Sequence, residues 1–118
     1  MKKILTALLL GCATLVSLAQ SAYPTKPVKV IVPFPVGQAT DVIARILSQE
    51  FTETLGQSFY VDNKGGAAAI VGMEAAKASA PDGYSLLMAS SGPLTINPAL
   101  YSKLTYDTLR DFQPIGTA

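Results

Sequence analysis

The run Val28–Val32, in which every residue but Lys29 is apolar and β-branched, constrains this chain more than any other feature. Such a run predicts a β-strand, and Pro33 ends it because proline cannot donate a ladder hydrogen bond. The run lacks the polar alternation of a half-exposed strand. It is therefore expected to be buried on both faces, as the central strands of parallel sheets are.

A helix is predicted after the loop 33–40, over residues 41–55. Thr40 or Asp41 can cap its start, and Gly56 stands where a C-terminal cap is expected. The apolar residues of this segment recur at helical spacing and predict one core-facing side. They are Val42, Ile43, Ile46, Leu47, Phe51 and Leu55.

The rest of the chain continues the alternation of strands and helices. Residues 59–61 and 84–89 read as strands, and residues 70–80 read as a helix. Residues 98–101 are expected to form one helical turn, and residues 112–115 the approach to a fourth strand. The order β-α-β-α-β predicts an α/β fold with a parallel sheet and flanking helices.

Residues 1–19 have the three parts of a secretory signal peptide. Lys2 and Lys3 precede an uncharged apolar run, and small residues lead to a cleavage position after Ala19. The run is short for a spanning helix, which is the alternative. Cys12 lies in a segment similar to a lipoprotein cleavage box, so lipid anchoring is a second alternative, against Cys12 as an apolar filler.

Composition excludes several classes of function. The chain of 118 residues is 49% hydrophobic and has nine basic against eight acidic residues, a balance that does not suit a nucleic-acid binder. It has no histidine and one cysteine. A Cys/His metal site, a Ser-His-Asp mechanism and an intrachain disulfide are therefore excluded. No phosphate-binding glycine motif is present, and no cofactor is expected.

The loops that follow the strands are the candidate binding site. In an open parallel sheet, ligands bind beyond the carboxyl ends of the strands, where the strand order reverses. If the strand order is 2-1-3, the loops 33–40 and 89–95 meet there and the loop 63–69 flanks them. Their small residues allow close approach to backbone N–H groups, and helix N-termini favour an anion. A small carboxylate is the ligand expected; ordinary βα turns remain the alternative.

Catalysis has weaker support. Ser90 or Ser91 could act as a nucleophile, but no histidine is present to activate either hydroxyl. Asp41 and Asp62 could be read as an acid and base pair, although a helix cap and a strand end account for them more simply. The chain is not expected to be an enzyme.

Taken together, these segments resemble the Bug receptors, the extracytoplasmic solute-binding proteins of tripartite tricarboxylate transporters. The resemblance spans residues 23–112 and rests on motifs distributed along them. They are Tyr23-Pro24 with Lys26-Pro27-Val28, Ile31 to Pro35 with Gly37 and Thr40-Asp41, Leu55-Gly56-Gln57, Val61-Asp62-Asn63, Gly66-Ala67 with Gly72, Ala80 to Tyr84, Ser91-Gly92, Ile96 to Tyr101, Tyr106-Asp107 and Arg110-Asp111-Phe112.

The resemblance implies a periplasmic-binding-protein-like (type II) fold of two lobes that close on a small carboxylate and deliver it to the transporter's membrane components. Residues 20–118 would correspond to the first part of lobe 1, with the second lobe absent. A short secreted interaction domain that pairs its open sheet edge with a partner is the alternative. The resemblance nominates ligand-binding residues in three loops: Pro35, Val36, Gly37 and Thr40; Gly66, Ala67, Ala68 and Ala69; and Ser90, Ser91 and Gly92.

Two departures from the family pattern fall in these loops. Val36-Gly37-Gln38 stands where the family usually has Pro-Gly-Gly, so Gln38 adds a side chain. Ala68 and Ala69 replace glycines, and Ile70 stands at the position of an asparagine. If these positions need positive φ, alanine strains the loop.

Overall fold

A computed structural model describes residues 23–118 of the protein. The predicted signal peptide, its cleavage position and Cys12 lie outside the described residues. The strands are β1 (Val28–Val32), β2 (Phe59–Asn63) and β3 (Ser85–Leu87). The helices are α1 (Ala39–Leu55), α2 (Ile70–Lys77), α3 (Asn97–Leu100) and α4 (Thr108–Asp111), and a π-helical turn, Gly92–Ile96, leads into α3. Within residues 23–118, no helix is long and apolar enough to cross a membrane.

The three strands form one parallel sheet in the order β2-β1-β3, with β1 in the centre. Val28 pairs with Phe59 at one end of the β1–β2 ladder, and Val32 pairs with Asn63 at the other. On the second side of β1, Lys29 to Ile31 pair with Ser85 to Leu87. The predicted α/β class, the parallel pairing and the 2-1-3 order are confirmed. Both edges of β1 are paired, so it is the central strand, and central strands of parallel sheets read as apolar runs because both of their faces are covered.

The core lies on the α1 side of β1. Val28, Val30 and Val32 point to this side and form a cluster with Ala44 of α1 and Phe59 of β2. Ile31 points to the opposite face and is buried, as is Met73 of α2. Helices therefore flank both faces of the sheet, and the three loops that follow the strands share its carboxyl edge.

The prediction for the buried side of α1 is wrong. Its buried residues are Asp41, Ala44 and Ser48, whereas Val42 and Ile46 are 47% and 63% exposed. The small residues face the sheet because they let the helix axis approach β1 and β2 closely. Most of the large apolar residues form a second stripe that the described residues leave in contact with solvent, although Leu47 is half-buried and the Phe51 ring packs against Phe59.

The segment after β3 differs from expectation in one way, since the helical turn predicted at residues 98–101 is part of a longer helical stretch. Residues 112–118 contain no strand, and the approach to a fourth strand at residues 112–115 stays a prediction. The end of the segment is held against α2 by Lys77, whose Nζ donates to the Thr105 carbonyl and pairs with Asp111, both at 2.9 Å. This anchoring places Tyr106 beneath the π-helical turn.

Candidate functional site

The loop between β1 and α1 is fixed by a buried carboxylate. Asp41, in the first turn of α1, is 1% exposed and accepts the Gly37 N–H through Oδ2 at 2.8 Å. Arg45, one helical turn later, donates its Nε–H to the same oxygen at 3.1 Å and reaches Oδ1 through Nη2 at 3.1 Å. Asp41 is thus not an N-terminal cap but a bridge from α1 back into the loop.

Asn63 joins this loop to the end of β2. Its Nδ2 donates to Asp41 Oδ1 at 2.9 Å and to the Phe34 carbonyl at 3.1 Å, and its Oδ1 accepts from Arg45 at 3.0 Å. Every polar atom of the Asn63 side chain is therefore engaged. The first and second loops are held together by one network of side chains.

The network stabilises the ionised form of Asp41. Hydrogen bonds from Arg45, then from the Gly37 amide and Asn63, lower the pKa of the Asp41 carboxyl to about 2. The carboxylate is an acceptor at every contact, so it works as a fixed anchor rather than as a proton donor.

The loop after β2 makes a left-handed turn of three alanines. Ala67, Ala68 and Ala69 have φ values of 47°, 54° and 73°. Residues with a Cβ rarely adopt such values, since each costs about 1–2 kcal/mol relative to right-handed backbone. The sequence predicts strain in this loop if its alanines need positive φ. All three alanines have positive φ, so the loop is strained.

All three carbonyls of the turn are hydrogen-bonded. The Ala67 oxygen accepts from Ile70 N at 3.0 Å, and the Ala69 oxygen accepts from Met73 N at 3.1 Å. The Ala68 oxygen accepts from Asn97 Nδ2 at 2.8 Å. In contrast, the N–H groups of these three alanines have no hydrogen-bond acceptor within residues 23–118. Ala67 and Ala68 are exposed and Ala69 is buried, so the exposed part of the turn offers N–H donors while its carbonyls are occupied.

Two glycines allow the loops to come this close. A Cβ on Gly72 would lie 2.5 Å from Pro33 Cα and 2.7 Å from the Lys64 carbonyl oxygen, so only glycine fits where α2 crosses the end of β1. A Cβ on Gly65 would lie 3.1 Å from Pro35. The first and second loops are therefore in backbone contact.

The third loop reaches the second through Asn97. This residue is 6% exposed, and its Nδ2 contacts the Tyr106 hydroxyl at 3.3 Å in addition to the Ala68 carbonyl. Ser90 and Ser91 are exposed, and neither hydroxyl hydrogen-bonds within the part of the chain that the structure describes. No acid or base contacts them there.

The predicted site residues thus share one edge of the sheet but differ in what they offer. Pro35 has no N–H, and the Gly37 N–H is occupied by Asp41, so neither can donate to a ligand from the backbone. Val36 and Gly66 are exposed, and Thr40 is half-buried in the first turn of α1. Gly92 is half-buried where the π-helical turn begins.

The residues that organise the loops were missed as a group. Asn63 and Asn97 occur in the family motifs, but the sequence predicts no role for either side chain. It predicts a helix cap for Asp41. A sequence signal existed for one pair, because an acid followed four residues later by Arg45 predicts a helical ion pair. Nothing local marks Asn63 or Asn97, since Asn63 accepts from Arg45, 18 residues earlier, and Asn97 donates to the Ala68 carbonyl, 29 residues earlier.

Comparison with known proteins agrees with the geometry. The parallel sheet with a loop cluster at its carboxyl edge is that of periplasmic binding proteins. A solved structure described as a periplasmic transporter matches this chain with a TM-score of 0.78 and 45% sequence identity. The match covers 80% of this chain and 32% of the chain in that structure. Residues 43–118 match the model of the tripartite tricarboxylate transporter family receptor, TctC. The chain belongs to this receptor family, which confirms the resemblance found in the sequence.

Two further relatives extend the match. Protein BugT from Bordetella pertussis is 42% identical over 80% of this chain and 29% of its own length. MatC from Rhodopseudomonas palustris, solved with bound malate, is 36% identical with a TM-score of 0.74 over 78% of this chain and 31% of its own. The chain thus spans about a third of the length of the relatives it matches.

Proposed function

We propose that the loop edge of this protein binds a small carboxylate, and that the protein acts as an extracytoplasmic solute-binding receptor of a tripartite tricarboxylate transporter. The observation that carries the proposal is the turn Ala67–Ala69, with three engaged carbonyls and three N–H groups that lack acceptors. Successive N–H groups without acceptors on small residues suit a carboxylate, because charge-assisted hydrogen bonds are stronger than neutral ones.

Three further observations support a carboxylate over a more highly charged anion. Arg45 is committed to Asp41 and Asn63, and Lys64 lies 3.4 Å from Asp62, so no free cation is built into the described loops. The exposed Val36 N–H, which has no hydrogen-bond acceptor within residues 23–118, adds a neutral donor only. The relative MatC was solved with malate, a dicarboxylate.

The remaining assignments are part of the same proposal. Residues 1–19 act as a signal peptide cleaved after Ala19, so the mature protein lies in the periplasm, and residues 20–118 form the first part of lobe 1. The ligand passes to the transporter's membrane components. The protein binds its solute without chemical change, and its site needs no metal or cofactor.

The test is a titration of the ¹⁵N-labelled protein with malate, followed by NMR. Shift changes are expected at the amides of Val36 and Gly66–Ala69, with smaller ones at Ser90–Gly92. The matched control is the neutral diamide of malate, which keeps the carbon skeleton and removes both charges. Equal shifts from the diamide, or shifts spread over the whole surface, would rule out a carboxylate site at this edge.

A further inference from the structure

The left-handed turn Ala67–Ala69 needs support from its surroundings, because three strained alanines do not hold their conformation alone. Two of its carbonyl contacts are donated by backbone N–H groups at the start of α2. They persist whatever side chains are present. The contact to the Ala68 oxygen is different, since it comes from the side chain of Asn97, 29 residues away.

The orientation of the Asn97 amide is set by Tyr106. The Tyr106 hydroxyl donates its hydrogen to the Pro93 carbonyl, so it must accept at its oxygen. Asn97 Nδ2 lies 3.3 Å from that oxygen and 2.8 Å from the Ala68 oxygen. Both neighbours are acceptors at this point, and only the NH₂ end of the amide satisfies both.

Burial makes this arrangement specific. Asn97 and Tyr106 are 6% and 4% exposed, so water does not compete freely for their hydrogen bonds. The bond to the Ala68 carbonyl is part-buried, so an acceptor that lost this donor would be better satisfied by turning to water. Loss of the Asn97 amide would therefore let the Ala68 peptide rotate towards solvent, and the neighbouring N–H groups would turn with it.

We propose that Asn97 is a positioning residue for the anion site. By holding the Ala68 carbonyl on the side of α3, it keeps the N–H groups of Ala67–Ala69 directed to the ligand. This inference rests on the proposed function for its consequence in binding, but its conformational part stands on the contacts alone. It also gives a role to the motifs that contain Asn97 and Tyr106, from which the sequence predicts no ligand-binding residue.

The test uses rescue by glycine. In Asn97→Ala, the strong intraresidue amide–Hα NOEs of positive φ should be lost at Ala67–Ala69, and the apparent affinity for malate should fall about fivefold. Adding Ala68→Gly to this variant should restore most of the affinity, because glycine adopts positive φ without strain. A residue that merely stabilises the fold would not be rescued in this way.

The control is Tyr84→Phe. It removes the hydroxyl that accepts from the Thr25 N–H at 3.0 Å. This contact precedes β1 and β3 and lies away from the loops, so the NOEs and the malate affinity should both stay unchanged. Should Asn97→Ala fail to fold, Tyr106→Phe loosens the same amide and should give a smaller loss. Unchanged NOEs and affinity in a folded Asn97 variant, or no rescue by glycine, would overturn the proposal. If the unaltered protein shows no malate shifts, the proposed function fails, while the NOEs still test Asn97.

Discussion

Ala68 has a φ of 54°, which glycine adopts more easily than alanine. Replacing alanine by glycine usually destabilises a protein, but at this position it should not. Ala68→Gly relieves about 1 kcal/mol of left-handed strain and loses part of that gain to the greater entropy of the unfolded chain. We expect no loss of stability and a gain of up to about 1 kcal/mol in urea unfolding. Ala76→Gly, within α2, is the matched control and should lose about 1 kcal/mol. Equal losses in both variants would contradict the strain.

Gly72 tests the close crossing of α2 over the end of β1. A Cβ added to Gly72 would lie 2.5 Å from both Cα and Cβ of Pro33. Neither the proline ring nor the nearby Lys64 carbonyl can move away as a flexible side chain does. Gly72→Ala should therefore destabilise the protein by about 3 kcal/mol or more in urea unfolding. Gly116→Ala has open space around it and should change stability by less than about 0.5 kcal/mol. A mild Gly72 variant would mean that the helix shifts at little cost.

The alanine turn could not be predicted from residue types. Alanine favours right-handed backbone, so a run of three predicts continuation into α2 rather than a left-handed turn. The turn forms because Gly72 brings α2 close to β1 and because Asn97 holds the Ala68 carbonyl, and both causes are tertiary. The sequence did indicate which loops meet, since strand order determines that.

At the scale of elements, the strands and the helix α1 were predictable because their signals are local. The bounds predicted for β1 are those observed, and the α/β pattern predicts the parallel sheet, whereas the order 2-1-3 entered only as a condition. The buried side of α1 was not predictable in the same way. Two stripes of α1 have helical spacing, one large and apolar and one containing Asp41, Ala44 and Ser48, and hydrophobicity favoured the first. Close packing of the helix on the sheet selected the second.

The network of Asp41 joins α1 to the ends of β1 and β2, and it predicts a particular acid response. The pKa of Asp41 in the folded protein is about 2, below its unfolded value of about 3.9. Its contribution to stability is therefore fully present above about pH 5 and is lost as pH falls from about 4 towards 2. Urea unfolding between pH 6 and pH 2.5 should show this loss.

The variant Asp41→Asn should be less stable at pH 6 and should lose less stability on acidification across the same window. Glu50→Gln removes an exposed carboxylate from the same helix and should leave the pH response of the unaltered protein in place. If Asp41→Asn loses as much stability between pH 6 and pH 2.5 as the unaltered protein does, other carboxylates cause the loss.

At the scale of the whole molecule, the site is a surface rather than an enclosure. Val36, Ala67, Ala68, Ser90 and Ser91 are exposed, so a carboxylate bound there stays largely in contact with water. Each solvent-exposed hydrogen bond then contributes only about 1 kcal/mol, against an association cost of at least about 4 kcal/mol. If the described edge binds a carboxylate as proposed, burial of the ligand would need cover from another surface.

Weak binding follows from this exposure. We expect the protein to bind malate with a dissociation constant of about 1 mM or weaker, visible as local amide shifts but giving little heat in calorimetry at micromolar protein. The two measurements together separate the cases: shifts at the loop amides without calorimetric affinity fit an open carboxylate surface. A micromolar dissociation constant by calorimetry would mean that the ligand is enclosed, which the exposed loops do not achieve alone. Sedimentation of the protein with and without malate would then show whether a second copy supplies the cover.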